Sequence, residues 1–384
     1  MAIYFDSNAT TQVHPRVVDA MMPYLTESWH NPSSGYRAGR EVKAAIGKAR
    51  EQVASLIGAD PEEIVFTGCG TESNNMAIKS LARQIGRENS KVVVSAIEHS
   101  AVLRPTEAMS AAGFEVERVG TDDEGRLRLD EFEAALDGAC PGFASIMWAN
   151  NETGVIQPMA EVCEIAKKAG WFVHTDAIQA VGKVPVRMDE VPVDLLSISG
   201  HKFHAPKGVG CLYIRNGSPF TPMIRGGGQE SGRRSGTENV PYIIGMGEAA
   251  AIMEEEGANG GLERVARLRD RLEQGLLTGV SHGPNPVELN GSRDHRTGNV
   301  AHLSIRGCVA AEMLPLLDEA GVLCSAGSAC MTGTDQPSHV QKAMGFSDAR
   351  AFSSLRLSLS IFSTEAEVDE AVGKIIEVVK LTGR

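Results

Sequence analysis

A lysine and an aspartate each follow an apolar run that is typical of a buried strand. Lys202 comes soon after the run 193–198, and Asp176 ends the run 171–176. Because the carboxyl ends of parallel strands meet at one edge of a sheet, the two side chains would lie where such sheets bind ligands. A lysine among apolar neighbours can lose its proton near neutral pH and form a Schiff base with an aldehyde. Such a lysine, together with an aspartate that faces the pyridine nitrogen, is the minimum set of side chains that a pyridoxal-phosphate site requires.

Both residues also have a purely structural interpretation. An aspartate at the end of a strand commonly caps the helix that follows, and most lysines are simply solvated. The pair by itself therefore leaves both interpretations open, and other polar residues of the chain have to discriminate between them.

A glycine-rich turn over 67–71 connects a predicted strand, 63–67, to a helical pattern. Gly70 permits a close approach of the backbone, and Thr71 is expected to be the N-cap of the helix. Unpaired N–H groups at a helix start bind phosphate well. A plain connection between strand and helix is the alternative, but a phosphorylated cofactor would favour a phosphate site here.

Other polar side chains follow predicted strands and would meet at the same edge. His99 comes after the strand 91–95, where an imidazole can stack on a flat ring and move protons. Asn151 comes after the predicted strand 144–149 and offers an amide. His99 could instead be a surface or helix-capping residue, and Asn151 could belong to a plain turn. The same edge would collect two more polar side chains, Gln179 and His201.

Cys330 lies among small residues in the segment 323–334. This composition predicts an exposed loop, and a thiol on such a loop can act as a nucleophile once it is deprotonated. Most unpaired cysteines are buried and inert, which is the alternative. We expect this inert state for Cys324, because it follows an apolar run that is typical of a strand end.

Arginines mark two further segments. Arg356 stands in the otherwise apolar run 353–358 and needs a partner, which is either a structural carboxylate or a substrate carboxylate held bidentately. The glycine-rich segment 226–237 contains two arginines, and it is either a plain loop or a site for an anionic ligand.

Composition limits the possible functions. The chain has 384 residues, enough for more than one hydrophobic core, and its net charge of −12 argues against nonspecific nucleic-acid binding. No apolar stretch approaches the roughly 20 residues of a membrane span. The N-terminus carries no basic leader, and the seven cysteines show no zinc-ligand spacing. We therefore expect a cytoplasmic enzyme with reduced cysteines and without a metal or membrane anchor.

Apolar runs alternate with helical patterns over the first two thirds of the chain, which predicts an α/β lobe with a mostly parallel sheet. The predicted strands are 63–67, 91–95, 144–149, 171–176, 193–198 and 210–214, and the predicted helices are 72–86, 100–112 and 158–169. A smaller α+β lobe should follow a glycine-rich boundary near 256–262. Its elements would be helices at 261–279, 309–319 and 365–381 and a strand at 299–305.

The ordered motifs GTESNN, NNETG, HTDAIQ, SGHK, RRSGTEN and AGSAC resemble those of the cysteine desulfurases of the NifS/IscS type. These are fold-type I pyridoxal-phosphate enzymes related to the class V aminotransferases. The resemblance implies a large cofactor-binding domain over 15–256 with a mostly parallel seven-stranded sheet. It also implies a small domain, formed by 1–14 and 257–384, that carries the catalytic cysteine loop.

The same resemblance implies how the cofactor would be bound. Lys202 would hold it covalently, Asp176 would pair with its ring nitrogen, and His99 would stack on the ring. Gln179 and Asn151 would bond the ring substituents. The phosphate would be bound by Gly70, Thr71, Ser199, His201 and, from the partner subunit of a homodimer, Thr237.

For the substrate, the resemblance implies that Asn151 and Arg356 bind the carboxylate of L-cysteine. Cys330 would take the substrate sulfur as a persulfide while alanine is released. An acceptor protein, either an iron–sulfur scaffold or a tRNA-thiolation protein, would then receive the sulfur.

The chain departs from the family pattern near Cys330 and Arg356. The usual Ser-Ser-Gly-Ser run is 325–328 with alanine second, and Ser-Ile at 360–361 replaces a frequent Gly-Arg. A selenocysteine lyase or a related aminotransferase is the enzymatic alternative, although an aminotransferase needs no loop cysteine. A non-catalytic sulfur-assembly protein would be expected to lack Lys202, Asp176, His99 or Cys330, and all four are present.

Overall fold

The computed structural model describes residues 2–86, 90–137, 140–280, 286–327 and 336–383. In chain order its strands are β1 (Ile3–Tyr4), β2 (Ile64–Thr67), β3 (Ser90–Ser95), β4 (Glu115–Val119), β5 (Cys140–Ser145), β6 (Phe172–Asp176), β7 (Leu195–Ser199), β8 (Gly210–Ile214), β9 (Val287–Leu289), β10 (Val300–Ile305), β11 (Val322–Leu323) and β12 (Ser354–Ser358). Its α-helices are α1 (Pro15–Thr26), α2 (Arg37–Ile57), α3 (Gly70–Ile85), α4 (Ser100–Ala111), α5 (Leu129–Leu136), α6 (Met159–Lys168), α7 (Val240–Ala258), α8 (Gly261–Val280), α9 (Ala310–Glu319), α10 (His339–Ala343), α11 (Asp348–Phe352) and α12 (Glu365–Thr382).

The main sheet has seven strands in the order β2-β8-β7-β6-β5-β3-β4. All neighbours from β7 to β4 pair in parallel, whereas β8 is antiparallel to both β2 and β7. The prediction of a mostly parallel sheet is therefore confirmed. Since β2 runs in the same direction as β7, the carboxyl ends of six strands lie at one edge of this sheet.

Both faces of the main sheet are buried, which explains its continuous apolar runs. In β3, Val93 belongs to one hydrophobic core, whereas Val92 and Val94 belong to another. Successive side chains of a strand point to opposite faces, so a strand covered on both sides must be apolar throughout. Helices α2, α6 and α7 contribute to the core that contains Val93, and α3 and α4 to the core on the other face.

A second, smaller group of elements has a core of its own. Strands β12, β10 and β9 form an antiparallel sheet in that order, and β1 pairs in parallel with β11. Helices α8, α9 and α12 pack on them, together with Ile3 and Phe5 from the start of the chain. Helix α7 ends at Ala258 and α8 begins at Gly261, within the glycine-rich segment that predicted a boundary. Among the described residues, no helix combines the length and apolar character needed to cross a membrane.

One strand prediction was wrong in position. The strand predicted at 144–149 is β5, which spans Cys140–Ser145, although the backbone beyond it still bonds to β6 through Ile146 N and Trp148 N. Its early start was hidden by Pro141 and Gly142, which usually interrupt strands. Here Gly142 allows close contact with β3, because a Cβ at this position would lie 1.9 Å from Lys91 O.

We predict that Gly142→Ala lowers the free energy of unfolding by roughly 2–4 kcal/mol, because the added methyl group would force β5 and β3 apart. Denaturant unfolding measures this change. Gly373→Ala in α12 is the control, since its Cβ would meet nothing within 4 Å and should stabilise the helix by about 0.5–1 kcal/mol. Equal effects of the two substitutions would contradict the role assigned to Gly142.

Candidate active site

A cavity of about 260 Å³ opens at the carboxyl edge of the main sheet. It collects side chains that follow separate strands, as expected for a ligand site of this class of sheet. The predicted site residues that line it are Gly70, Thr71, His99, Asn151, Asp176, Gln179, Ser199, His201 and Lys202.

Asp176 ends β6 with a carboxyl group that is 3% exposed. Its Oδ2 accepts a hydrogen bond from Asn74 Nδ2 at 2.7 Å, and its Oδ1 accepts one from Ile178 N at 3.0 Å. Burial raises the pKa of Asp176, and the nearby His99 and these donors oppose that rise. The carboxyl group is therefore rigidly oriented and would gain from a cationic partner on the cavity side. Asn74 was missed as a sequence candidate, although it belongs to the GTESNN motif.

Lys202 lies in a single 3₁₀ turn, Gly200–Lys202, directly after β7. Its Nζ donates to Asn8 O at 2.6 Å and to Ala9 O at 2.8 Å. Two backbone carbonyls from the start of the chain thus determine where this amine sits in the cavity. The sequence did not reveal this contact, because nothing local relates residues so far apart.

Lys183 is a second amine beside the site and was also missed. Its Nζ donates to Asn8 Oδ1 at 2.9 Å and to Gln179 Oε1. The pKa of Lys183 is lowered well below its usual value by burial and by the nearby charges of Lys202 and Arg356. Since Gln179 accepts from Lys183, its amide nitrogen is directed to Asn8 O, 3.0 Å away.

His99 both caps a helix and lines the cavity. It is the N-cap of α4, and its Nδ1 accepts a hydrogen bond from Ala101 N at 3.1 Å. Burial lowers the pKa of His99 and favours the neutral ring. With Nδ1 as the acceptor, the proton of the neutral ring is assigned to Nε2.

The prediction that Thr71 is the N-cap of the helix after the glycine-rich turn was wrong. Helix α3 begins at Gly70 with Cys69 as its N-cap, so Thr71 lies in the first turn. A Cβ at Gly70 would lie 2.3 Å from Ile178 Cδ1, so only glycine fits there without displacement. The first-turn N–H groups of α3 have no helical partners and favour an anion at this edge of the cavity.

Two of the predicted residues that the structure describes, Arg356 and Thr237, do not line the cavity. Arg356 is 1% exposed and lies behind Asn151, with Nη1 donating to Asn151 O at 3.0 Å and Nη2 to Asp6 Oδ1 at 2.8 Å. Thr237 is exposed and outside the cavity of its own chain. Cys330 lies outside the described residues.

Asn150 organises the NNETG turn that follows β5. Its Oδ1 accepts from Glu152 N at 2.9 Å and from Thr153 N at 3.0 Å, and its Nδ2 donates to Ile97 O at 3.1 Å. The turn therefore directs Asn151 into the cavity and Glu152 toward the second group of elements. Within the described ranges, no three or more His, Cys, Asp or Glu side chains are arranged to hold a metal ion.

Comparisons with known proteins agree with this geometry. The model of the family "Aminotransferase class-V" matches residues 3–371. A protein named cysteine desulfurase from Trichormus azollae is 43% identical over 378 residues, which cover 98% of this chain and 93% of that protein.

Solved structures give the same result. A NifS-like protein superposes with a TM-score of 0.90 at 38% identity, covering 99% of this chain and 100% of its own. SspA in complex with cysteine superposes with a TM-score of 0.80 at 32% identity, covering 94% and 99% of the two chains. The chain belongs to the class-V aminotransferase family and, within it, to the cysteine desulfurases of the NifS type.

Proposed function

We propose that this protein removes the sulfur atom of L-cysteine with bound pyridoxal phosphate, releases L-alanine and carries the sulfur as a persulfide on Cys330. The observation that carries the proposal is that Lys202 and Asp176 line one cavity, with His99 at the same sheet edge. A related solved structure with bound cysteine supports the choice of substrate.

The side chains of the cavity fit pyridoxal phosphate. The buried carboxyl group of Asp176 suits a protonated pyridine nitrogen. Gly70, where a Cβ does not fit, begins α3, and the N–H groups of this first helical turn are available to a phosphate. Burial, with the charge of Lys202 nearby, lowers the pKa of His201 to about 4, and a phosphate dianion would counter that effect. Ser199 and Thr71 would add hydroxyl groups to the phosphate site.

When bound, the cofactor supplies an electron-withdrawing ring that stabilises negative charge at the α-carbon of the substrate. Asp176 would keep the ring nitrogen protonated, and His99 would stack on the ring. Gln179, oriented by Lys183, and Asn151 would bond the ring substituents. Lys202 would anchor the cofactor and, once displaced by the substrate, move the proton at the α-carbon.

Arg356 would bind the substrate carboxylate together with Asn151. Its two Nη atoms already donate to Asp6 and Asn151, but each carries a second hydrogen, and the buried Nε has no partner within the described part of the chain. The guanidinium therefore keeps donors for an anion, although it is also paired with Asp6.

The assembly and the partners of the protein belong to the same proposal. Thr237 of the partner subunit would complete the phosphate site in a homodimer, since Thr237 is exposed in its own chain. The large domain would comprise 15–256 and the small domain 1–14 and 257–384, because α7 and α8 pack in different cores. A sulfur acceptor protein and a cytoplasmic location remain predictions.

Lys202→Ala should abolish turnover and the visible absorbance of the bound cofactor, because no other amine would anchor it. Borohydride reduction of the wild type, followed by peptide mapping, should find the cofactor on the peptide that contains Lys202. Lys207→Ala, which removes an exposed lysine of the same segment, is the control and should keep both properties. A cofactor adduct on Lys183 or Lys207 would refute the assignment.

Asp176→Asn should retain some cofactor but lower alanine formation roughly 100-fold or more, because a neutral amide cannot hold the ring nitrogen protonated. Cofactor absorbance and alanine production measure the two effects separately. Near-normal alanine production would show that Asp176 only caps the segment after β6.

Incubation of the purified protein with L-cysteine should yield equal amounts of alanine and transferred sulfur, and mass spectrometry should find one added sulfur atom on Cys330. Cys330→Ser should bind cysteine but release no sulfur, because a hydroxyl is a far poorer nucleophile toward sulfur. Cys324→Ser is the matched control and should keep most activity. Burial raises the pKa of Cys324 to about 12, so this thiol stays protonated and inert at neutral pH.

A persulfide confined to a cysteine other than Cys330 would contradict the proposed mechanism. Loss of nearly all sulfur transfer in Cys324→Ser, with normal substrate binding, would assign a mechanistic role to Cys324 instead.

A further inference from the structure

The carboxyl group of Glu152 bonds to one residue that flanks the segment with Cys330, Ser338, and lies beside another, Gly327. Glu152 is 1% exposed, and its Oε2 accepts a hydrogen bond from Ser338 Oγ at 2.6 Å. On the other side, a Cβ at Gly327 would lie 3.1 Å from the same Oε2. Gly327 and Ser338, the residues on either side of 328–337, therefore both lie beside Oε2 of Glu152.

The element that follows this stretch is attached to the same part of the main sheet. His339 Nε2 donates to Glu98 O at 3.0 Å, directly before His99 in the chain. Val340 packs in a small hydrophobic cluster with Ile97 and Met147, and Met147 also lines the cavity. Helix α10 is thus held on the loops that follow β3 and β5.

Position in the sequence links these contacts to the nucleophile. Cys330 lies outside the described residues, three positions after Gly327 and eight before Ser338. Glu152 is itself the neighbour of Asn151, whose side chain lines the cavity. Glu152 therefore lies between the cavity residue Asn151 and the two described residues, Gly327 and Ser338, that flank the segment with Cys330.

Glu152 has a buried carboxyl group, and these contacts satisfy part of it. An unpaired carboxylate in the interior is unfavourable, so buried carboxylates are normally satisfied by several donors. Ser338 donates a short hydrogen bond to this carboxyl group, and Gly327, with φ of 115°, allows the backbone to pass close to it. A side chain other than that of glycine would be strained there and would crowd the carboxylate.

We propose that Glu152 is a positioning residue for sulfur transfer, which holds both ends of the segment that carries Cys330 beside the cavity. This inference rests on the proposed function for the role of Cys330. Glu152 does not contact the substrate in this proposal, so its loss should slow the step at Cys330 while substrate binding remains unchanged.

The test compares two serine N-caps of five-residue helices. Ser338 caps α10 and also bonds Glu152, whereas Ser347 only caps α11. In the holoenzyme, Ser338→Ala and Glu152→Gln should slow persulfide formation on Cys330 roughly 10- to 100-fold in a single turnover. Ser347→Ala should leave that rate unchanged, and the affinity for cysteine, read from the cofactor absorbance, should stay the same in all variants.

A second pair tests the other end of the segment. Gly327→Ala should slow persulfide formation, whereas Gly345→Ala should not, although both glycines have positive φ and only Gly327 lies beside Glu152. Thermal unfolding of all variants shows which of them remain folded.

Alkylation of Cys330 without substrate gives a readout that does not require turnover. Ser338→Ala should raise the alkylation rate of Cys330 about fivefold relative to Ser347→Ala, the factor expected for loss of one hydrogen bond. If wild-type protein formed no persulfide on Cys330, the proposed function would fail, and this comparison would still test the anchor. Equal behaviour of the two serine variants, or a parallel loss of cysteine affinity, would overturn the role of Glu152.

Discussion

The backbone carbonyl of Asn8 is the acceptor on which the arrangement of the site depends. It receives Lys202 Nζ at 2.6 Å and Gln179 Nε2 at 3.0 Å, so it holds two side chains that come from different strands. The side chain of Asn8 extends this network, since its Oδ1 accepts from Lys183 and Asn299. Because these hydrogen bonds belong to one buried network, displacing one member disturbs the rest.

Burial explains the electrostatic character of the site. Asp176 and Glu98 are both inside, and burial raises the pKa of Glu98 to about 8, so this group is protonated at neutral pH. Lys183 experiences the opposite effect, because burial lowers the pKa of an amine. The protein thus limits the number of charges around the cavity before any ligand arrives, and it leaves Asp176 oriented for a cationic partner.

The sequence predicted the part of the site that follows local rules. Asp176 ends one strand of the sheet, and His99 and Lys202 come shortly after two others, so topology alone places them together. Errors arose where a tertiary contact overrides local preference. Gly142 lies within a strand, where it allows close contact with the neighbouring strand, and does not form a turn. Helix α3 starts one residue before Thr71, at Gly70, which packs closely against Ile178.

Other site residues could not be found from the sequence, because their positions depend on pairing between distant segments. Asn8 and Asn299 are separated by 291 residues, and Glu152 contacts Ser338 across 186 residues. The motifs that contain Asn74 and Glu152 indicated importance, but not which atoms these side chains would contact. Whether a charged side chain such as Lys183 ends up buried depends on the complete fold.

The N-terminal turn has a consequence for the order in which the protein can be assembled. Residues 6–8 are made long before residues 356–358, yet Ser7 N bonds to Ser358 O, Asn8 N bonds to Ser358 Oγ, and Asp6 pairs with Arg356. During synthesis from the N-terminus, these bonds cannot form until residues 356–358 have been made. The turn whose carbonyls position Lys202 is therefore completed late, and a cavity able to retain its cofactor is a late product of folding.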